Sequence, residues 1–282
     1  MMKVVDTAGY FLNNYDGTIE FLRTYYKKYP EIFGEYFAYH CKDTEERHQR
    51  SIKKYPETME HIEAARWRLP AIIEEIATAY ERLYGIAFPV DVNLLVGGFG
   101  SNAYTYREII PNISFALEKL SPEPDHLRVI VAHEFGHAAH HILSNGAGID
   151  WTKVQWTSPL NWLYQEGVAI HFSRKTAIGM DAAMYYSFNG EEEEWLSFAE
   201  HNAAEIKRAF AEDYRKLDST EIFREWFSIN GGTRFGFERL GYFLGNNLFQ
   251  SKIEILGELN AVLDWGEEDF QASVEQWLLE ER

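Results

Sequence analysis

Residues 125–143 read Asp125-His-Leu-Arg-Val-Ile-Val-Ala-His-Glu-Phe-Gly-His-Ala-Ala-His-His-Ile-Leu143. A polar start, an apolar face and Gly146 just beyond the end predict a single helix. Within it, His133 and His137 are four residues apart and so stack one turn apart on the same face. Two imidazoles placed this way reach one Zn²⁺ at roughly 2.0–2.1 Å. Glu134 is turned about 100° from His133 around the axis, close enough to address a water beside the metal. That grouping is what hydrolysis requires: a metal that acidifies water and polarises a carbonyl, and a carboxylate that takes the proton.

The other histidines of the stretch do not extend the set. His140 shares a face with His133 but lies about 10 Å further along the axis. His137 and His141 repeat the spacing, yet Ala138 stands where a base would be. His126, His140 and His141 therefore read as solvated or hydrogen-bonding side chains.

A catalytic zinc takes a third protein ligand and keeps one position open. The candidate is Glu166, in Ser158-Pro-Leu-Asn-Trp-Leu-Tyr-Gln-Glu-Gly-Val-Ala-Ile-His-Phe172. Ser158 as cap and Pro159 in the first turn predict a second helix. Glu166 then shares a face with Trp162, Leu163, Ala169 and Ile170, where a carboxylate needs a partner. Zinc would be one; a buried Arg or His would be another. Gly167 and Ala169 are small enough to let this helix approach the first.

Working outward, Ala71-Ile72-Ile73 through Ile76, Tyr80 and Leu83 repeat at helical spacing up to Gly85. Residues 1–87 read as helical throughout, punctuated by Pro30, Pro56 and Pro70. Val90, Val92, Leu94 and Val96 alternate with Asp91, Asn93 and Leu95, which predicts a strand. Two more strands are expected at Ala103–Tyr106 and Asn112–Glu118, separated by Pro111. The expected fold is α+β: a mostly helical, zincin-like chain with a small mixed sheet before the zinc-binding helix. Residues 1–87 would form a helical N-terminal region and 88–282 the catalytic domain.

The chain has 282 residues and a formal net charge of −17, with one cysteine, Cys41. An acidic surface repels nucleic acid and anionic membranes. A lone cysteine forms no intrachain disulfide and suits a reducing compartment. With no signal-like start and no apolar run long enough for a membrane span, a cytoplasmic protein is expected.

His133-Glu-Phe-Gly-His137 followed by Gln165-Glu-Gly-Val-Ala169 resembles the gluzincin group of zinc metallopeptidases, and within it bacterial predicted zinc-dependent proteases and aminopeptidases. The resemblance covers roughly residues 90–249. It implies one zinc per chain held by His133, His137 and Glu166, Glu134 as general base, and a peptide substrate. It implies an edge strand that holds the substrate backbone, matched by residues 98–103, with Asn102 and Ala103 as contacts, or by residues 112–118. It also implies Tyr242 as donor to the oxyanion, on a helix Glu238-Arg-Leu-Gly-Tyr-Phe-Leu-Gly245, with Arg239 holding a substrate carbonyl or carboxylate. Gly241 and Gly245 would give that helix close packing. Leu143 stands where metzincins have a third histidine, so no ligand comes from that position. One departure stands out: Ile170 replaces the Asp by which thermolysin-like members orient a zinc histidine. Another residue must do that here.

Two rival readings carry less. Gly98-Phe-Gly100-Ser-Asn-Ala103 follows a strand and nearly matches a dinucleotide fingerprint, but Tyr104-Thr-Tyr106 continues as strand rather than opening a helix. A zinc protein without hydrolytic activity would be expected to fill its fourth position with Cys or His. Trp151, Trp156 and Trp162 read as core packing, or as the lining of a substrate pocket. The run Glu191–Glu194 reads as a solvated helix start.

Overall fold

The computed structural model describes residues 2–186 and 192–280. The chain divides into two compact units, 1–138 and 139–282. The division falls inside a single helix, Pro124–Gly146.

The first unit is built on a four-stranded sheet of β1 (Lys3–Asp6), β2 (Asp91–Leu95), β3 (Ala103–Thr105) and β4 (Ile113–Ala116), in the order β1-β2-β4-β3. β1, β2 and β4 are parallel, and β3 runs antiparallel to β4. The sheet is mixed and small in a mostly helical chain, an α+β arrangement. The helical reading of residues 1–87 misses β1, because four residues, Lys3-Val-Val-Asp6, are too few to show an alternation.

Helices α1 (Ala8–Asn14), α2 (Ile19–Lys28) and α3 (Pro30–Glu35) lead into a π-helical turn at Tyr36–His40 and then into α4 (Glu45–Tyr84). Pro56 and Pro70, expected to punctuate, lie inside α4. Each costs about 3 kcal/mol in a helix interior. The helix nevertheless buries Tyr55, Ile62, Leu69, Ile72, Ile73, Ile76 and Tyr80 along one stripe. At about 1.5–3 kcal/mol per large side chain, that burial outweighs both prolines. Gly85 ends the helix as expected, with φ of 67°.

Buried tyrosine hydroxyls fix the sheet and the helix that follows it. Tyr25 accepts the N–H of Val96 at 3.1 Å. Tyr80 donates to the Ala132 carbonyl at 2.7 Å, one residue before His133. β2 is buried along Val92–Leu95, so both of its faces are covered. That is the usual state of a parallel strand, rather than the half-wet one its alternation suggested.

The helix Pro124–Gly146 is α5, and it contains the whole of residues 133–137 in helical conformation. Phe135, fully buried, meets Phe88 at 4.7 Å and Tyr80 at 6.4 Å between ring centroids. Two residues from His133 is about 200° around the axis, so burying Phe135 turns the histidine face the other way.

The second unit is helical: α6 (Pro159–Thr176), α7 (Glu192–His201), α8 (Ala203–Lys216), α9 (Ser219–Trp226), α10 (Leu240–Leu256), α11 (Glu258–Leu263) and α12 (Phe270–Leu279). α6 begins as expected, with the Ser158 hydroxyl accepting the Leu160 N–H and Pro159 in the first turn. Its principal neighbour is α10. A Cβ on Gly167 would run into the Gly245 carbonyl, and one on Gly245 into the Leu163 carbonyl. Gly167 thus serves the α6–α10 crossing. In the run at residues 191–194, Glu193 and Glu194 are exposed at the start of α7, and Glu191 lies outside the described residues.

Among the described residues no helix is long and apolar enough to cross a membrane.

Candidate metal centre

His133 and His137 project from consecutive turns of α5, their rings 4.8 Å apart at 88°. Glu166 lies in the middle of α6. One ligand atom from each of His133, His137 and Glu166 comes within 4.8 Å of the other two. Ligand atoms about 2.1 Å from one tetrahedral metal are about 3.4 Å apart. The observed limit of 4.8 Å is about 1.4 Å wider than that spacing. The donor set, two imidazoles and one carboxylate with a position left over, is that of a catalytic zinc. Among the described residues no other group of three His, Cys, Asp or Glu side chains converges in this way. The residues present therefore fit the metal that the spacing implied. His133 is buried, and His137 and Glu166 are half-buried. Glu134, on the same turn as His133, is 7% exposed, dry enough to strengthen its interaction with any charge beside it.

The remaining histidines of α5 lie apart from this set. His140 is fully buried, bonds the Val262 carbonyl through Nε2 at 2.9 Å and stacks on Trp265 at 4.1 Å. His141 is also buried, beside Trp151, Trp156 and Trp265. Of the two environments expected for them, the hydrogen-bonding one holds for His140, and neither side chain is solvated.

Tyr242 is half-buried in the first turn of α10. Arg239 precedes the helix as its N-cap, with φ of 55°. It is buried, donates through Nη2 to the Tyr186 carbonyl at 3.0 Å and lies 5.1 Å from the Tyr242 ring. Arg239 thus places its guanidinium over the Tyr242 ring at cation–π distance. The two expected glycines do give α10 close contacts: Gly241 against the Trp226 carbonyl and Phe227 ring, Gly245 against α6.

Of the two candidate edge segments, residues 112–118 are ruled out, because β4 is an interior strand paired on both sides. β3 is the outer strand. Its pairs Ala103↔Phe115 and Thr105↔Ile113 flank bonds from the Ala116 N–H to the Asn102 carbonyl and from the Tyr106 N–H to the Asn112 carbonyl. By antiparallel alternation, Ala103 and Thr105 turn their backbone groups away from β4. The Asn102 carboxamide oxygen accepts the Ala103 N–H at 2.9 Å.

The glycine segment 97–100 shows its role through its hydrogen bonds. Glu118 accepts the N–H groups of Gly97 at 2.9 Å and Phe99 at 3.0 Å, and the Tyr36 hydroxyl accepts those of Gly98 at 2.8 Å and Gly100 at 3.0 Å. Four consecutive donors that would cradle a phosphate are spent on the chain's own oxygens. A Cβ at Gly97 would strike Tyr36, one at Gly98 the Cys41 sulfur and one at Gly100 the His40 carbonyl. Burial pushes the Glu118 carboxyl above its ordinary pKa, and the backbone N–H groups oppose that shift. Sequence reasoning missed Glu118 and Tyr36. The available signal was an acid ending an otherwise apolar strand, Ile113-Ser-Phe-Ala-Leu-Glu118.

No family model matches the chain, and neither a curated protein nor a solved structure matches it.

Proposed function

We propose that this chain is a zinc-dependent peptidase of gluzincin type, holding one zinc through His133, His137 and Glu166. The observation that carries the reading is the approach of those three ligand atoms to within 4.8 Å on helices whose sequence spacing had already singled them out. When bound, zinc lowers the pKa of water and polarises a carbonyl. Glu134 accepts the proton of the attacking water and returns it to the leaving amine. The Tyr242 hydroxyl donates to the oxygen on which negative charge develops, and Arg239 positions that ring. The Ala103 carbonyl and the backbone groups of Thr105 face outward from β3 and offer a substrate strand hydrogen bonds, while the Asn102 carboxamide holds the Ala103 N–H at the start of that edge.

Glu134→Gln tests the chemistry, because it keeps the size and removes the base. Its zinc content should equal that of the unsubstituted protein, and peptide hydrolysis should fall by about 10²–10⁴-fold. Cleavage at the unsubstituted rate would refute this mechanism. The nucleotide reading gains nothing from segment 97–100, whose donors are already committed.

A further inference from the structure

Beyond the metal ligands, both helices continue into one aromatic cluster. On α6, Trp162 precedes Glu166 by four residues, and on α5, His141 follows His137 by four, so each shares a face with its ligand one turn away. His141 lies 5.5 Å from Trp151, 5.6 Å from Trp156 and 5.4 Å from Trp265, centroid to centroid. Trp151 and Trp156 are parallel within 13° at 5.7 Å. Trp265 stands across both at 87° and 82°, each at 5.8 Å. Trp162 joins through its indole N–H, which donates to the Trp156 carbonyl at 2.9 Å.

Two features separate this cluster from ordinary core. It reaches the surface: Trp156 is 43% exposed, and Phe223, edge-on to Trp162 at 5.7 Å, is 51% exposed. Its polar handles are also used internally. The Trp265 indole N–H donates to the Ser144 hydroxyl at 2.8 Å, that of Trp151 to the Asn145 carboxamide oxygen at 3.2 Å, and that of Trp162 as above. With three of the four indole N–H groups used internally, what the cluster offers a visitor is chiefly ring carbon, which favours an apolar or aromatic group.

We infer that the surface carried by Trp156 and Trp162 is a specificity subsite that takes a large apolar or aromatic side chain of the peptide, next to the bond being cut. This inference rests on the peptidase reading above and adds the substrate class. Trp162 lies one helical turn from Glu166, and Trp156 packs at 5.6 Å on His141, itself one turn beyond His137, a separation of the size of the step from a scissile bond to a neighbouring side chain.

The test pairs hydrolysis with binding. Peptides that differ only in Phe or Ala at each position flanking the cut are compared on the zinc-loaded protein, on Trp156→Ala, and on a control, Trp67→Ala, whose exposed side chain lies on α4. The unsubstituted protein and the control should prefer Phe at one position by about tenfold or more in kcat/KM. Trp156→Ala should reduce that ratio to below about threefold through KM, with zinc content unchanged. A preference that survives Trp156→Ala, or one for Lys or Ala in the unsubstituted protein, overturns the subsite. Intrinsic tryptophan fluorescence of zinc-loaded Glu134→Gln, titrated with the same peptides, gives a second readout without turnover. If no peptide is cleaved but the Phe peptide binds about tenfold more tightly and loses that advantage in Glu134→Gln with Trp156→Ala, the subsite stands and the hydrolytic reading fails. Equal binding of the Phe and Ala peptides overturns the subsite whatever the rate.

Discussion

Glu118 and Glu166 are both carboxylates brought beside glycine, and the structure gives them opposite surroundings. Glu118 lies in the short turn after a buried strand and accepts two backbone N–H groups, which closes the loop at residues 97–100 around the chain's own carboxyl. Glu166 sits mid-helix with its oxygen near two imidazole nitrogens. Gly167 beside it serves a helix crossing. Backbone donors around a carboxylate make an internal anchor, whereas ring nitrogens converging on one give a group that could hold a metal ion. Glycine occurs at both places because something must come close, and it does not report which kind of place it is.

The sharpest way to break this contrast is to remove each carboxylate in turn. Glu166→Ala should weaken zinc binding by at least about a hundredfold, since one of three protein ligands is lost. Glu118→Ala should leave zinc affinity unchanged. Competitive titration with a zinc chelator measures both, and a large loss in Glu118→Ala would collapse the distinction. Gly167→Ala should destabilise the protein by about 3 kcal/mol, because the new methyl meets backbone rather than a flexible side chain; chemical denaturation reads it, and an unchanged midpoint would mean that the crossing is looser than described. Glu118→Ala leaves the N–H groups of Gly97 and Phe99 buried without their acceptor and should cost about 2 kcal/mol in the same assay.

The smallest effect concerns pH near the same loop. His40 stacks on Tyr104 at 3.6 Å, and its Nδ1 lies 3.2 Å from the Ser101 hydroxyl. Burial, helped by Arg107, pushes its pKa down to about 4. The unfolded chain then binds a proton that the folded chain refuses, so His40 favours folding above pH ~6.5 and loses that contribution as pH falls towards 4. In His40→Gln, the drop in stability between pH 6.5 and 4.5 should be smaller than in the unsubstituted protein by about 1–2 kcal/mol. An identical drop in both would remove His40 from the account.

That His133, His137 and Glu166 come together was legible in the sequence because the signal is local. Two histidines at helical spacing define a face without any knowledge of the rest of the chain. The helix ends at Pro159 and Gly85 were equally legible, since caps and terminators act within a turn. What escaped notice depends on distant partners. β1 is a strand only because β2 lies beside it. Pro56 and Pro70 are tolerated only because α4 buries a long stripe. The role of segment 97–100 is set by Tyr36, more than sixty residues away, and by Glu118. The bond of Arg239 to the Tyr186 carbonyl and its place over Tyr242 likewise depend on partners that its own stretch of sequence does not announce.

Zinc K-edge X-ray absorption on the protein loaded with one equivalent of zinc examines the centre most directly. Two imidazoles and a carboxylate should give a light-atom shell at about 2.0–2.1 Å, the outer-shell signature of two histidine rings and no sulfur near 2.3 Å. A sulfur shell, a single imidazole, or a spectrum of hydrated zinc would contradict it.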